Sequence, residues 1–328
     1  MRVEFDRKSA NDLMSEAFEA LNLGKPKTAL KIAKKLKGMR YSGYFEIQAL
    51  AYADLGDPST AISVLREGTA KCPGVWLLWQ LLGNKLSDAG RFEEAFEAYE
   101  KGLSTDEPRL ESLNLNYAIA LLRSGQAIQA RERIRPILDA PVFRELEGSL
   151  RARILTVELE ALRTLDKRDA AVAFFSAIGD ENFGDNAGTE LSMLWLEYAQ
   201  SLFEIGRHQE AERAAVRSAR FNVKADGALS YLREIRHKPT SCPTNHYQLV
   251  VEGEWSNPSM DQKPMGFFAS YAVCADSQEE ALCYVTELQP AEVRNLRISE
   301  AKLTNAVTEP KGVYSAGRYI FYSEESHV

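Results

Sequence analysis

The chain has 328 residues, of which 45% are hydrophobic and 27% charged, and its formal net charge is −7. These values are typical of a globular protein with about two domains, and they exclude a low-complexity chain and a strongly basic nucleic-acid-binding protein. No apolar run approaches the roughly 18 residues that span a bilayer. The charged N-terminus is not followed by the apolar stretch of a secretory signal peptide. The four cysteines are scattered along the chain, which suits a reducing compartment. We therefore expect a cytoplasmic protein with no membrane segment.

A helix–turn–helix pattern recurs at steps of roughly 34 residues through the first two thirds of the chain, which is typical of a solenoid. Each unit is centred on a turn, usually with a glycine that supplies the left-handed conformation at the end of the first helix. Small residues before and after this glycine allow the two helices to pack closely. The turn glycines are Gly24, Gly56, Gly90, Gly125 and Gly206. The small residues before them are Ala17, Ala49, Gly83, Ala118 and Ala199, and the alanines after them are Ala29, Ala61, Ala95, Ala130 and Ala211.

The most regular unit resembles the signature of the tetratricopeptide repeat family through Trp79-x-x-Leu82-Gly83-x-x-Leu86, Gly90, Ala95 and Tyr99. The resemblance implies an all-α solenoid of helix–turn–helix repeats, and we assign residues 1–237 to it, with about six repeats and a capping helix. The repeats span residues 10–41, 42–75, 76–109, 111–144, 151–184 and 192–225, and the capping helix spans residues 225–236. The fifth repeat is the least regular, because its turn, Leu165-Asp166-Lys167, lacks glycine.

The helical pattern stops at residues 238–245, where prolines and small polar residues predict a linker. Residues 246–328 then predict a small α+β domain, an antiparallel sheet with one helix. Its helix begins at an N-cap, Asp276 or Ser277, and ends near Leu288. The predicted strands span residues 247–255, 266–274, 296–303 and 314–322. A sheet with one helix leaves a face to cover, so we expect this domain either to dock on the last repeat or to bind a partner.

In the tetratricopeptide repeat family, the first helices line a concave groove in which peptides usually lie. The resemblance therefore implies a groove for a peptide or partner protein. We assign to it residues on the face opposite the hairpin contacts, namely Glu46, Gln80, Asn84, Asn116, Ile119, Arg123 and Gln200. Asn84 and Asn116 are the central pair, because an asparagine amide offers both a donor and an acceptor to an extended peptide backbone. The alternative is that both are ordinary solvated residues.

Asn84 and Asn116 also match two asparagines of the carboxylate clamp found in chaperone-binding members of the family. The rest of the clamp is not carried over. Gln80, Ala152 and Thr156 stand where the family has cations, so the resemblance does not extend to capture of a chaperone's terminal carboxylate.

Motifs for chemistry are absent from the sequence. It has no Gly-rich phosphate-binding loop, no Gly-x-Ser-x-Gly nucleophile motif, and no histidine pair at helical zinc spacing. His237, Cys242 and His246 lie close together without a fourth ligand nearby, and we interpret them as linker residues. We therefore expect a protein that is not an enzyme and that has no cofactor, metal or small-molecule substrate.

The leading hypothesis is a protein–protein interaction adaptor or scaffold that binds a peptide or partner protein in the groove. An alternative is an inhibitor or immunity-type protein that occludes a toxin or nuclease, because residues 246–328 carry six basic and twelve acidic side chains and acidic surfaces complement basic enzymes. A third hypothesis places catalysis in the C-terminal domain. The basic stretch from Lys25 to Arg40 is expected to be a solvated face, and binding of nucleic acid is not expected, since no aromatic residues are interleaved with the lysines.

Overall fold

The computed structural model describes residues 2–36, 42–178, 183, 187–222, 226–236, 244–256, 265–307 and 309–322. The chain forms two compact units, Met1–Phe143 and Arg144–Val328. The boundary between these units falls between residues 143 and 144. The linker predicted at 238–245 lies mostly outside the described residues and stays a prediction.

The first unit is built from four helical hairpins. In these hairpins α1 (Arg2–Asn22) pairs with α2 (Pro26–Leu36), α3 (Gly43–Asp54) with α4 (Pro58–Lys71), α5 (Trp76–Asp88) with α6 (Phe92–Leu103), and α7 (Leu110–Arg123) with α8 (Ala127–Leu138). A 3-10 helix spans Pro141–Glu145. The four hairpins coincide with the first four predicted repeats.

The turns within these hairpins adopt the predicted conformation. Their four glycines have φ between 67° and 83°, a region that glycine enters without steric cost. At the end of α5, the N–H of Arg91 donates to the carbonyl of Leu86 at 2.9 Å and the N–H of Gly90 donates to that of Ser87 at 3.0 Å. This pair of hydrogen bonds satisfies the last carbonyls of the helix and ends it.

The small residues lie where the two helices of a hairpin meet. Ala95, for example, is completely buried. A methyl group on Gly83 would lie 2.6 Å from Cε1 of Tyr99, whose side chain is 1% exposed. Position 83 therefore requires glycine because of the tyrosine ring of the second helix, and the close approach of α5 and α6 depends on it.

The second unit begins with two further hairpins and a final helix. In it α9 (Gly148–Thr164) pairs with α10 (Arg168–Ile178) and α11 (Gly188–Glu204) with α12 (His208–Phe221), and α13 (Asp226–Arg236) packs on α12. The turn without glycine is built like the others: Asp166 has φ of 60°, and the N–H of Lys167 donates to Leu162 at 2.9 Å. Aspartate is one of the few other residues that enter this region. The described residues thus contain the six predicted hairpins and the predicted final helix.

A five-stranded antiparallel sheet with one helix follows, so the predicted fold class is confirmed. Its strands are β1 (Thr244–Trp255), β2 (Met265–Ala275), β3 (Val293–Val307), β4 (Gly312–Ala316) and β5 (Ile320–Tyr322), and α14 (Gln278–Glu287) follows β2. The strand order is β3-β1-β2-β4, and β5 pairs with β2. Ser277 is the N-cap of α14, since its hydroxyl accepts the N–H of Glu280 at 3.2 Å.

The single strand predicted over residues 314–322 is wrong, because the chain forms two short strands there. β4 pairs with β2 near Val273, whereas β5 pairs with β2 near Phe267. Between them, the N–H of Gly317 donates to the carbonyl of Ser270 at 2.7 Å. β4 and β5 therefore pair with two different segments of the same strand, β2.

The sheet docks on the last helices of the array. Leu249 and Phe267 of the sheet belong to the same hydrophobic cluster as Ala215 of α12 and Leu229 of α13. Arg233 of α13 donates to a carbonyl of β4, that of Val313, at 2.6 Å. Docking on the final helices was one of the two expectations for this domain, and the other, binding of a partner, stays a prediction.

Candidate functional site

Two hydrogen bonds join the first helices α5 and α7 of neighbouring repeats. The hydroxyl of Ser112 donates to Oε1 of Gln80 at 3.0 Å, and Nη1 of Arg123 donates to Oδ1 of Asp88 at 2.8 Å. Asn84 stands midway between Gln80 and Asp88, one helical turn from each, so all three share one face of α5.

The same spacing places Asn116 and Ile119 on the facing surface of α7, since they stand between Ser112 and Arg123 at steps of three or four residues. The two cross-links therefore bracket a continuous surface. We call it the α5–α7 strip, and it consists of Gln80, Asn84, Asn116, Ile119 and Arg123. The structure thus brings together five of the seven residues that the sequence assigned to the groove.

Both asparagines of the strip are half-buried and held by their own repeats. Oδ1 of Asn84 accepts the hydroxyl of Tyr99 at 2.8 Å, and Nδ2 of Asn116 donates to the carbonyl of Ser112 at 2.9 Å. Burial raises the pKa of Tyr99, so its hydroxyl stays protonated and acts as the donor. The amide nitrogen of Asn84 donates to no group in the described part of the chain.

The two ends of the strip differ in exposure. Gln80 is 9% exposed and its carbonyl is occupied by Ser112, so it forms the floor of the strip. Arg123 is exposed and ion-paired with Asp88. Ser112 and Asp88 are not among the residues predicted from the sequence, although each stands about one repeat length from its partner, at separations of 32 and 35 residues. That spacing is the signal by which they could have been found.

The remaining two groove residues lie on other helices. Glu46 is half-buried on α3, the first helix next to α5, and burial raises the pKa of its carboxyl group. Gln200 is half-buried on α11 in the second unit, and its Oε1 is buried without a hydrogen-bond partner among the described residues. Ala152 and Thr156, at the positions of clamp cations, are both buried in α9.

The C-terminal sheet gathers several titratable groups. His246 and Cys274 are opposite one another on β1 and β2, and Sγ of Cys274 lies 3.9 Å from Oε2 of Glu309. Burial raises the pKa of the Cys274 thiol to about 11. A thiol with such a pKa is protonated at neutral pH and is therefore a poor nucleophile. This cluster gives no support to the hypothesis of catalysis in the sheet.

Further properties concern metals, membranes and charge. Within the described ranges, no group of three His, Cys, Asp or Glu side chains is placed to hold a metal ion, and no helix is both long and apolar enough to cross a membrane. Of the residues considered for a metal, His237 and Cys242 lie outside the described residues. In α2 the lysines are exposed, as expected for a solvated face; they are Lys27, Lys31, Lys34 and Lys35.

The family model for the tetratricopeptide repeat matches residues 78–108, which cover most of α5 and all of α6. A 63-residue segment of the chain is 33% identical to small glutamine-rich tetratricopeptide repeat-containing protein 2 of Mycosarcoma maydis. Residues 78–108 thus match a tetratricopeptide repeat. The matched segment is 19% of this chain and only 18% of the Mycosarcoma protein.

Two solved structures share the arrangement of helices with this chain. One is the APC/C hetero-tetramer Cut9–Hcn1, with a TM-score of 0.51 and 10% identity over 67% of this chain and 41% of that chain. The other is pilF of Pseudomonas aeruginosa, with a TM-score of 0.50 and 13% identity over 70% of this chain and 98% of that chain. At these identities, the likeness establishes the fold alone.

Proposed function

We propose that this protein is a non-enzymatic adaptor whose repeats bind an extended peptide segment of a partner protein along the α5–α7 strip. The observation that carries the proposal is the bracketing of Asn84, Asn116 and Ile119 by two cross-links between neighbouring first helices. The cross-links fix the spacing of these side chains before a ligand arrives, which lowers the entropy cost of binding. Glu46 on α3 would extend the same surface by one repeat, whereas Gln200 belongs to the second unit and stays a separate prediction.

The chemistry of the strip suits a peptide backbone. Because Asn84 gives its carbonyl to Tyr99, it presents an N–H donor that suits a peptide carbonyl. Ile119 supplies apolar contact beside the polar amides, and Arg123 adds a cation at one end. A few fixed polar groups beside apolar surface give orientation and affinity together.

The inhibitor alternative has weaker support. The comparisons do not favour it, and several acidic side chains of the C-terminal sheet are already paired with cations of the same chain. Lys311 pairs with Asp276 and Glu280, and Arg297 pairs with Glu252. This pairing reduces the negative charge that a basic enzyme would meet.

A phage-displayed library of unstructured peptides, panned on the full chain, tests the adaptor proposal. Selected peptides are then synthesised with a fluorescent label, and their affinities are measured by anisotropy. The double variant Asn84→Ala and Asn116→Ala should weaken binding by about 30-fold, the effect of two hydrogen bonds of about 1 kcal/mol each.

Asn114→Ala is the matched control. Asn114 lies on the same helix and, like Asn116, donates through Nδ2 to a carbonyl four residues earlier, that of Leu110, at 2.9 Å, but it is not part of the strip. Its replacement should leave the affinity unchanged. If the selected peptides bind the double variant and the native chain equally, or if panning yields no saturable binder, the assignment of the strip is wrong.

A further inference from the structure

A pocket of about 810 Å³ lies against α6, the turn that follows α6 and the turn that precedes α5. This volume is within the range of about 300–1,000 Å³ that is common for ligand sites. Its aromatic wall comes from three successive helices, with Trp79 from α5, Phe96 from α6 and Tyr117 from α7. Phe96 and Tyr117 stack with their centroids 5.3 Å apart. Trp79 is fixed because its indole N–H donates to the carbonyl of Pro73 at 2.8 Å.

Carboxylates line the other side of this pocket. Glu93, Glu97 and Glu100 follow one another along one face of α6, and Asp106 stands in the turn after it. Glu100 is paired with Arg133 of α8. The other three are exposed and have no ion pair within the described ranges of the chain. The pocket therefore has a local excess of negative charge beside its aromatic wall.

The aromatic rings of this region already hold cations from the protein itself. The ammonium of Lys101 lies 5.2 Å from the centroid of the Trp79 ring, and the guanidinium of Arg133 lies 4.2 Å from that of Tyr117. An aromatic face attracts a cation through its quadrupole. Ring faces combined with unpaired carboxylates favour a cationic ligand group and disfavour an anionic one.

We propose that this pocket, which we call the α6 pocket, binds an arginine or lysine side chain of a partner peptide between the Trp79 ring and the carboxylates of Glu93 and Glu97. Arginine fits better than lysine, because its planar guanidinium stacks on an indole while it donates hydrogen bonds to carboxylates. The α6 pocket uses none of the side chains of the α5–α7 strip. It is a second binding site, and it does not depend on the function proposed for the strip.

The test uses a capped, fluorescent glycine–serine peptide with two adjacent arginines, and matched peptides with two lysines or two glutamates. Anisotropy measured with the full chain should show the highest affinity for the arginine peptide and a lower affinity for the lysine peptide. The glutamate peptide should not bind. The double variant Glu93→Gln and Glu97→Gln should weaken binding of the arginine peptide by about tenfold or more, because it removes the acceptors of charge-assisted hydrogen bonds.

A matched control is the double variant Glu16→Gln and Glu19→Gln, which removes the same charge from two exposed glutamates of α1. It should change the affinity by less than about twofold, since surface charges more than a Debye length away are largely screened. Lys101→Met removes the resident cation above Trp79 and should tighten binding, whereas Lys31→Met on α2 should not. The Asn84→Ala and Asn116→Ala double variant should bind the arginine peptide normally, which separates this proposal from that for the strip.

Three results would overturn the proposal. If the two double glutamate variants weaken binding equally, the attraction is diffuse and the α6 pocket is not a site. Binding of the glutamate peptide as strong as that of the arginine peptide would exclude selection for cations. If ultracentrifugation shows a dimer that Glu93→Gln and Glu97→Gln abolish, the occupant is a basic segment of a second copy and a partner peptide is the wrong ligand. Circular dichroism of each variant verifies that the fold is retained.

Discussion

The hydrogen bond between Tyr99 and Asn84 connects the α5–α7 strip to the core of its own repeat, and its loss should be measurable as stability. Tyr99 is 1% exposed and its hydroxyl lies 2.8 Å from Oδ1 of Asn84. Asn84→Ala leaves this hydroxyl buried without an acceptor. An orphaned buried polar group costs about 1–3 kcal/mol, so we expect a loss of about 2 kcal/mol in the free energy of opening of the α5–α6 hairpin.

Tyr99→Phe should cost less, about 1 kcal/mol, because it removes the donor and the need for an acceptor together. The phenylalanine ring would still pack against Gly83 and stack on Tyr117, whose centroid lies 5.3 Å from that of Tyr99. In this background, Asn84→Ala should cost less than about 0.5 kcal/mol. The two single variants and the double variant then give a coupling energy of about 1–2 kcal/mol.

Hydrogen exchange measured by mass spectrometry on the full chain is the suitable assay, because peptides from residues 76–103 report the local opening of this hairpin. Asn114→Ala serves as the control and should not change the exchange of these peptides. An equal cost of Asn84→Ala in the native and Tyr99→Phe backgrounds would refute the reasoning, since the hydroxyl would then not need Asn84.

Two further predictions concern strain and pH. Asp166 adopts φ of 60°, which strains the backbone of any residue except glycine. Asp166→Gly should relieve this strain but increase the conformational entropy of the unfolded chain, so that it stabilises the α9–α10 hairpin by about 0.5 kcal/mol and slows its hydrogen exchange. Unchanged exchange would mean that the turn is unstrained. Burial raises the pKa of Glu46 above its ordinary value of 4.5. Between the pKa of the unfolded state and that of the folded state, the folded protein binds more protons than the unfolded one. The free energy of unfolding therefore falls as the pH rises from the unfolded-state pKa to the folded-state pKa. In urea unfolding, Glu46→Gln should be more stable than the native protein at neutral pH and lose this advantage below about pH 4; identical pH dependence of the two proteins would contradict it.

The hairpins could be predicted from the sequence because their requirements are local. A turn at Gly90 needs a left-handed residue, and the contact beneath Gly83 needs a small one, wherever the repeat stands in the chain. Even Asp166, which breaks the glycine pattern, occupies the same turn. The N-cap of α14 was equally readable, since its hydrogen bond joins Ser277 to the N–H of Glu280, only three residues along the chain.

Features that depend on a distant partner could not be predicted. The pairing of Gln80 with Ser112 depends on how one hairpin is rotated against the next, which helical periodicity does not specify. Trp79 was recognised as a signature residue of its repeat, but the signature does not show that its side chain is half-buried and lines the α6 pocket. The split between β4 and β5 depends on where each strand pairs along β2, which the local sequence does not specify.

The docking of the sheet on the final helices has a consequence for how such a chain changes by duplication. Repeat arrays lengthen when a repeat is copied, because each repeat contacts only its neighbours. Beyond α13, the apolar surface on which another hairpin would stack is occupied by strand residues such as Val313, a member of the cluster that contains Leu229 and Leu232. A copied hairpin can be inserted before α11, but one added after α13 would displace the sheet. The sheet thus fixes where the array ends and leaves its interior free to vary.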